Sequence, residues 1–189
     1  MDDRPIGVFD SGLGGLTVVK ELLKELPEEN IVYFGDTARI PYGTRSKEIV
    51  TKYSAQCIRF LLSKNIKMVV IACNTSGSGS METLTTLFAL PILSVIGPGA
   101  RAAVDATRSG RIGVIGTLGT IRSRAYPNAI REIEPDIRVI DEACSLFVPI
   151  VEEGWSDTEV ARLTAERYLD PLKEQEVDTV VLGCTHYPL

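Results

Sequence analysis

The chain has 189 residues and a net charge of -5, with 44% hydrophobic and 24% charged side chains. This balance is typical of a globular protein, and the length suffices for one large domain or two small α/β lobes. Acidic and basic residues are mixed along the chain, so no basic surface for nucleic acid is predicted. The longest apolar runs, such as residues 68–73, are too short to cross a membrane.

The N-terminal residues and the cysteines indicate a cytoplasmic protein. Residues 1–5 read MDDRP and lack the basic and apolar regions of a signal peptide. The four cysteines lie far apart and form no Cys-x-x-Cys pair, which argues against a disulfide framework. We therefore expect reactive or buried thiols in a reducing compartment.

Short runs rich in β-branched residues alternate with longer segments of helical period. Strands are predicted at residues 6–9, 31–34, 68–72, 92–95, 112–115, 137–140 and 179–182. Two helix faces are predicted, one from Leu16, Val19, Leu22, Leu23 and Leu26, and one from Ile49, Val50, Tyr53, Cys57, Phe60 and Leu61. Ser156 and Glu159 form a plausible capping box that opens a helix through Leu169. The alternation predicts mostly parallel sheets with helices on both faces.

Two pairs of segments at nearly the same offset indicate an internal repeat. Residues 6–12 (IGVFDSG) are similar to residues 112–118 (IGVIGTL). Residues 69–75 (VVIACNT) are similar to residues 180–186 (VVLGCTH). A chance match of apolar strands explains either pair alone, but two matches in the same order favour two similar lobes.

Cys73 and Cys184 each follow a strand of this repeat and precede a polar segment that begins a helix. In an open parallel sheet this position is the carboxyl edge, where ligands bind and a helix N-terminus favours thiolate. A thiolate that removes a proton from carbon, opposite a thiol that supplies one, inverts a stereocentre without a cofactor. The alternative is two small buried side chains at strand ends. Their equivalent positions in the repeat favour the functional interpretation.

Asp10 and Ser11 end the first predicted strand and precede a glycine-rich turn at residues 12–15. A carboxylate there is placed to assist a proton transfer, and glycines let the backbone approach a small ligand. The turn is not a dinucleotide-binding fingerprint, because Thr17 stands where the third glycine belongs. A tight strand-to-helix connection explains the glycines equally well.

His186 is the only histidine and lies two residues after Cys184. An imidazole there is placed to lower the pKa of the thiol or to relay its proton. A zinc site that combines His186 with Cys184 and Cys73 is the competing hypothesis. No local Cys-x-x-Cys or His-x-x-x-His spacing supports it, so no metal is expected.

Several other polar positions carry weaker signals. Residues 36–43, which include Tyr42, predict either a loop that closes over the sheet edge or a plain surface loop. Thr117 and Thr120 follow the repeat of the first strand, so their hydroxyls are candidates for the same cleft. The pattern around Glu152 is that of a solvated helix end, and Cys57 and Cys144 are predicted to be core residues.

Four ordered motifs resemble those of bacterial glutamate racemases, in the cofactor-independent Asp/Glu racemase family. They are residues 10–15 (DSGLGG), 35–38 (GDTA) together with 41–43 (PYG), 73–75 (CNT) and 183–189 (GCTHYPL). The likeness runs from the first predicted strand to the last residue. His186 resembles the glutamate enzymes, since the related aspartate racemases usually carry an acidic residue at this position.

The resemblance implies two similar α/β lobes, expected at residues 1–97 and 98–189, with glutamate in the cleft between them and no cofactor. It implies that Cys73 acts on D-glutamate with the assistance of Asp10. It implies equally that Cys184 acts on L-glutamate with the assistance of His186 and Glu152. The implied substrate-binding residues are Asp10, Ser11, Tyr42, Gly43, Asn74, Thr75, Thr117, Thr120, Thr185 and His186.

The resemblance also implies a cellular role and a set of partners. The product, D-glutamate, would supply peptidoglycan synthesis and hence the cell wall and cell shape. The only expected ligand is the small-molecule substrate, without pyridoxal phosphate, nucleic acid or membrane. Dimers are common in the family, so a homodimer is a candidate assembly.

The chain departs from the family's pattern in two places. Residues 76–80 read SGSGS where the family usually has alanine-rich helix formers, and each glycine costs about 1 kcal/mol relative to alanine in a helix. We therefore expect mobility there. Family members also continue beyond Leu189 to complete the first lobe. The resemblance thus implies a C-terminally truncated chain with uncovered apolar surface and an open sheet edge, and therefore lower solubility or association.

Three alternatives to an active glutamate racemase remain at this stage. The first is an inactive or binding-only racemase-like protein that keeps the cleft but not its closure. The second is an aspartate-type racemase. The third, a thiol redox or metal protein built on Cys73 and Cys184, belongs to another functional class.

Overall fold

The structure is a computed structural model that describes residues 2–189. The chain divides into two compact units, Met1–Val95 and Ile96–Leu189. Each unit contains a parallel sheet flanked by helices, so the predicted α/β fold class is confirmed. All seven predicted strands are present, and their ends differ from the predicted ones by at most three residues.

The first unit is built on a four-stranded parallel sheet. Its strands are β1 (Ile6–Asp10), β2 (Ile31–Gly35), β3 (Met68–Ile71) and β4 (Ile92–Ser94), in the spatial order β2-β1-β3-β4. Its helices are α1 (Leu16–Glu25), α2 (Lys47–Leu62), α3 (Asn74–Gly79) and α4 (Met81–Leu87), with a 3-10 helix at Thr37–Arg39. All five residues of β1 are buried, as expected for a central parallel strand covered on both faces.

The carboxyl ends of β1 and β3 form the switch point of this sheet. The chain leaves β1 toward β2 on one side and later returns to β3 on the other. In open α/β sheets, ligands bind in the crevice where the strand order reverses in this way. Phe9 pairs with both Phe34 and Ile71, so the three strand ends are level and the residues that follow them are neighbours.

The second unit is built on a three-stranded parallel sheet. Its strands are β5 (Arg111–Gly116), β6 (Arg138–Ala143) and β7 (Thr179–Gly183), in the order β6-β5-β7. Its helices are α5 (Ile96–Ala106), α6 (Leu118–Ser123), α7 (Ala125–Ile133), α8 (Phe147–Glu152) and α9 (Glu159–Glu174). This strand order repeats that of β2-β1-β3. The internal repeat found in the sequence therefore pairs β1 with β5 and β3 with β7, and a second switch point lies between β5 and β7.

Each unit has its own apolar core between the sheet and the helices. In the first unit the fully buried members include Phe9, Ile58, Leu61, Val69, Ile71 and Leu84. In the second unit the buried members include Ile112, Val114, Tyr126 and Ile130. Cys57 and Cys144 are buried within such clusters, as the sequence predicts for core residues.

The predicted start and end of the α9 helix were wrong. The residue before the helix is Thr158, whose hydroxyl accepts the Ala161 N–H at 3.3 Å, so Ser156 is not the cap. The Thr158 hydroxyl also donates to the Trp155 carbonyl at 2.7 Å, which fixes the turn two residues later than predicted. The helix then continues past Leu169 to Glu174, with Pro171 inside it.

The predicted apolar faces of the first two helices were only partly right. In α1, Leu16 and Leu23 are about half exposed, while Val18 packs on the sheet instead. In α2, Ile49 and Phe60 are exposed, and the buried stripe includes Ser54, Ala55 and Ile58. A stripe of small residues lets α2 approach α3 closely, which a strictly hydrophobic pattern does not reveal.

Residues 76–79 belong to α3, and the predicted mobility of this segment stays a prediction. Ser76 and Gly77 are buried, and the Ser76 Oγ accepts a hydrogen bond from Ser54 of α2 at 3.0 Å. Over residues 2–189, none of the helices combines the length and the apolar character needed to cross a membrane.

Candidate active site

The switch point of the first unit gathers five polar candidates from the sequence. Asp10 ends β1, Ser11 follows it, and Cys73 lies between β3 and α3. Asn74 and Thr75 are the first two residues of α3. All five side chains are less than a tenth exposed, so water does not screen the charges that they carry or contact.

The Cys73 thiol lies in a hydroxyl-rich pocket. Its Sγ lies 3.6 Å from the Ser11 Oγ, to which the thiol donates. Burial raises the pKa of Cys73, and the negative charge of Asp10 raises it further. The Ser76 N–H and the Ser11 and Ser76 hydroxyls act in the opposite direction, because each favours a thiolate. Without substrate this cysteine is therefore held as a neutral thiol.

The Asp10 carboxylate is fixed by the glycine-rich turn that follows it. Its Oδ2 accepts the Gly12 N–H at 3.0 Å. The Tyr33 hydroxyl, from β2, donates to the Gly12 carbonyl at 2.6 Å, so the turn is held on both sides. Tyr33 is not among the residues predicted from the sequence. The sequence does place Tyr33 in the second predicted strand. Parallel pairing of β2 with β1 sets it beside Val8, two residues before the end of β1.

The Tyr42 hydroxyl is bonded inside the protein. It donates to the carboxylate of Asp36, which also pairs with Arg39 at 2.7 Å. Burial raises the pKa of Tyr42, and the hydrogen bond to Asp36 raises it further. The ring packs in a cluster that includes Cys73, and the next residue, Gly43, is also buried. The Tyr42 hydroxyl is therefore already engaged by Asp36.

The second unit places Cys184, His186 and Glu152 in a chain of contacts. Cys184 follows β7, and its Sγ lies 3.7 Å from Nδ1 of His186. The other imidazole nitrogen, Nε2, lies 2.6 Å from Oε1 of Glu152, the last residue of α8. The His186 side chain is 5% exposed, whereas that of Glu152 is 45% exposed. A buried imidazole thus connects a thiol to a carboxylate that reaches solvent.

Hydroxyl groups line the same switch point in the second unit. Thr117 caps α6, accepting the Thr120 N–H at 3.2 Å, and the two Oγ1 atoms are 3.1 Å apart. Gly116 pairs with Gly183 at the ends of β5 and β7, so Thr117 lies at the same sheet edge as Cys184. Thr185 and both of these threonines are buried. Within each unit, the structure thus brings together the candidates that sequence analysis assigned to that edge.

Each edge is equipped for proton transfer at a bound small molecule. The first offers a thiol with a carboxylate and hydroxyls, and the second offers a thiol with an imidazole–carboxylate relay. Across residues 2–189, no group of three or more His, Cys, Asp or Glu side chains is arranged to hold a metal ion. A hollow of about 660 Å³ between α8, α9 and the end of β7 contains none of these candidates.

Comparison with known proteins identifies the family. The Asp/Glu/Hydantoin racemase profile matches residues 6–189. The glutamate racemase of Geobacter metallireducens is 58% identical over 186 residues, which make up 98% of this chain and 69% of that protein. This chain belongs to the Asp/Glu racemase family. It is an amino-acid racemase by descent, as its motifs indicated.

Solved structures of glutamate racemases share the fold. The Bacillus anthracis isoform superposes with a TM-score of 0.95 at 42% identity, covering 100% of this chain and 71% of that one. The Francisella tularensis enzyme, solved in complex with D-glutamate, gives 0.92 at 42% identity, with coverage of 100% and 71%. The expected family and the expected type of fold are therefore confirmed.

Proposed function

We propose that this chain interconverts L- and D-glutamate, using Cys73 and Cys184 as paired acid/base catalysts. The observation that carries the proposal is that the two cysteines occupy equivalent positions in the two units. Each follows the strand at a switch point of its own sheet, and each has proton-handling side chains in contact with it or close by. The glutamate racemases that resemble this chain, one of them solved with D-glutamate, supply the substrate class.

The reaction moves one proton off the α-carbon and another onto its opposite face. In the D-to-L direction, the Cys73 thiolate takes the α-proton and becomes a thiol, and the C–H electron pair stays on the substrate as a carbanion. The Cys184 thiol then gives its proton to the other face and becomes a thiolate. The reverse direction exchanges the two roles, so no cofactor is consumed or required.

The surroundings of each thiol suit these roles. The raised pKa of Cys73 keeps it protonated in the free enzyme, because burial and the Asp10 charge disfavour the thiolate. A substrate ammonium group near Asp10 would offset that charge and favour deprotonation of Cys73. On the other side, His186 accepts or returns the Cys184 proton, and Glu152 fixes the imidazole orientation.

The remaining candidates would hold the substrate's charged ends. Hydroxyl and amide groups at the two sheet edges are suited to carboxylates, and Asp10 is suited to the ammonium group. Tyr42 and Gly43 would contribute their backbone, since the phenol already donates to Asp36. The proposed set is Asp10, Ser11, Tyr42, Gly43, Asn74, Thr75, Thr117, Thr120, Thr185 and His186.

The cellular context follows from the reaction. D-glutamate from this enzyme would supply peptidoglycan synthesis in the cytoplasm. We propose lobes at residues 1–97 and 98–189 as the functional division, and a homodimer as the assembly. Sedimentation velocity at two protein concentrations tests the dimer, which is rejected if the mass stays that of one 20.6 kDa chain.

The test of the reaction is proton exchange at the α-carbon of each glutamate enantiomer in deuterated water, followed by NMR. Wild type is expected to exchange and invert both enantiomers. Cys73→Ala and Cys184→Ala are each expected to lose inversion, because every inversion needs both thiols. The chain offers a matched control, Cys144→Ala, which removes a buried thiol outside the proposed site.

The outcomes separate the remaining alternatives. Inversion that survives in either site variant contradicts the two-cysteine mechanism. Binding of glutamate without exchange, in a folded wild-type protein, indicates a binding-only racemase-like protein. Faster turnover of aspartate than of glutamate rejects the substrate assignment but not the mechanism.

A further inference from the structure

The contact between His186 and Glu152 depends on the alignment of two separate elements. His186 lies in the turn after β7, and Glu152 lies at the far end of α8, 34 residues earlier. A nitrogen–oxygen distance of 2.6 Å is short, and a bond of this kind weakens beyond about 3.2 Å. A relative shift of about 0.6 Å therefore suffices to weaken it, so the position of α8 against the turn matters.

Tyr187 connects these two elements directly. Its hydroxyl donates to the Cys144 carbonyl at 3.0 Å. The same carbonyl accepts the N–H of Phe147, the first residue of α8, at 3.2 Å. The Phe147 and Tyr187 rings also pack edge to face, with centroids 5.2 Å apart. One carbonyl oxygen thus ties the start of α8 to the residue next to His186.

The short length of α8 carries this alignment to Glu152. Five residue steps separate Phe147 from Glu152, which corresponds to about 7.5 Å of helix. A rigid segment of that length transmits a displacement at its first residue almost unchanged to its last. The turn itself is closed by the Tyr187 N–H, which donates to the Cys184 carbonyl at 3.2 Å.

We propose that Tyr187 is a positioning residue, whose hydroxyl aligns α8 with the catalytic turn so that Glu152 can orient His186 beside Cys184. The proposal rests on the two-cysteine function given above for the role of Cys184. It assigns to the hydroxyl a task beyond packing. Tyr187→Phe keeps the ring against Phe147 and removes only the link to Cys144.

A matched control exists in the first unit. The Tyr33 hydroxyl also donates to a backbone carbonyl beside a catalytic strand end, that of Gly12, at 2.6 Å. Tyr33→Phe removes the same kind of bond, with a similar expected effect on folding, but this bond joins β2 to the glycine-rich turn after β1 rather than α8 to the turn at His186. Any effect that Tyr187→Phe shares with Tyr33→Phe is therefore structural in origin.

The first readout is the imidazole of His186, which needs no turnover. His186 is the only histidine in the sequence, so nitrogen-15 labelling of histidine gives signals from one ring. In Tyr187→Phe the Nε2 signal is expected to move toward that of a free imidazole, while in Tyr33→Phe it stays at the wild-type position. An Nε2 signal unchanged in Tyr187→Phe overturns the proposal, whatever the enzyme's activity.

The second readout isolates each thiol with β-chloroglutamate. Removal of the α-proton by a thiolate forms a carbon–carbon double bond as the carbon–chlorine bond breaks and chloride leaves. The enamine then tautomerises and takes up water to give 2-oxoglutarate and ammonia. Because only one proton is abstracted, the L isomer reports on Cys184 and the D isomer on Cys73, as Cys→Ala variants of each would verify.

The two variants are expected to affect opposite isomers of β-chloroglutamate. Tyr187→Phe lowers kcat for chloride release from the L isomer about tenfold, the scale of one lost positioning contact, and spares the D isomer. Tyr33→Phe does the reverse. An equal fall in kcat with both isomers in Tyr187→Phe would mean that Tyr187 acts only through packing. Chloride release that does not depend on the two cysteines contradicts the proposed function instead, and the histidine signal then still decides the role of Tyr187.

Discussion

Gly15 is the position where a single methyl group has the largest expected effect on the first half of the site. An alanine Cβ there would lie 2.5 Å from the Asp10 Cβ and 3.0 Å from both the Asp10 Cγ and the Tyr33 Oη. Carbon atoms in ordinary contact are about 3.5–4.0 Å apart, so about 1 Å of movement is required. The backbone at Gly15 has φ −64° and ψ −11°, which alanine adopts freely, so the effect is one of space alone.

The structure indicates which part moves and what the movement costs. Asp10 is held by pairing with Gly35, and its carbonyl accepts the Asp36 N–H at 3.0 Å, so the glycine-rich turn yields first. Overpacking of this kind costs about 1–3 kcal/mol of unfolding free energy. Misplacement by about 1 Å near a reacting group lowers the rate about 100-fold. Gly15→Ala should therefore lose about 100-fold in rate yet remain folded, because a loss of about 1–3 kcal/mol leaves most of the roughly 5–15 kcal/mol by which folded proteins are usually stable.

The assay is racemisation of D- and L-glutamate by circular dichroism, paired with urea unfolding. Gly79→Ala is the control, since the nearest atom to its added Cβ is the Lys47 Cγ at 3.9 Å. The control should keep wild-type rates. Wild-type kcat/KM in Gly15→Ala would refute the reasoning, because it would mean that the Asp10 turn can move without consequence.

Two further predictions follow from the second unit and from a buried thiol. Glu152→Gln removes the charge that faces His186, and kcat for chloride release from L-β-chloroglutamate should fall about tenfold while the D isomer is spared; equal losses would contradict the relay. Burial raises the pKa of Cys57 to about 11 from its ordinary value of 9.0. A raised pKa stabilises the fold below pH 9, and this contribution is lost as pH rises toward 11. Urea unfolding should therefore show wild type losing about 1 kcal/mol more than Cys57→Ala between pH 9 and pH 10, and parallel losses would contradict this assignment.

The strands and the location of Cys73 and Cys184 after strand ends could be predicted because their signals are local. Parallel strands read as continuous β-branched runs. β7 ends directly before Cys184, and β3 ends two residues before Cys73. The internal repeat then gave the equivalence of the two switch points. Neither inference needed knowledge of distant contacts.

What the sequence could not give depends on competition or on long-range contacts. Ser156 and Thr158 are both good caps, and the hydrogen bond from Thr158 to the Trp155 carbonyl decides between them. The Tyr187 hydroxyl meets a carbonyl 43 residues away. Glu152 reads as a solvated helix end until α8 is placed beside the turn at His186. Such partners become visible only when the fold brings them together.

The unlike surroundings of the two thiols have a kinetic consequence. Mirror-image substrates have equal free energies, so the equilibrium constant of a racemase is unity and kcat/KM must be the same in both directions. A hydroxyl-lined thiol on one side and an imidazole-linked thiol on the other therefore cannot bias the reaction toward either enantiomer. They can only set how strongly each enantiomer saturates the enzyme and how fast it then turns over. Natural variation at Ser11 or Glu152 should accordingly change KM and kcat for D- and L-glutamate, without changing the position of equilibrium.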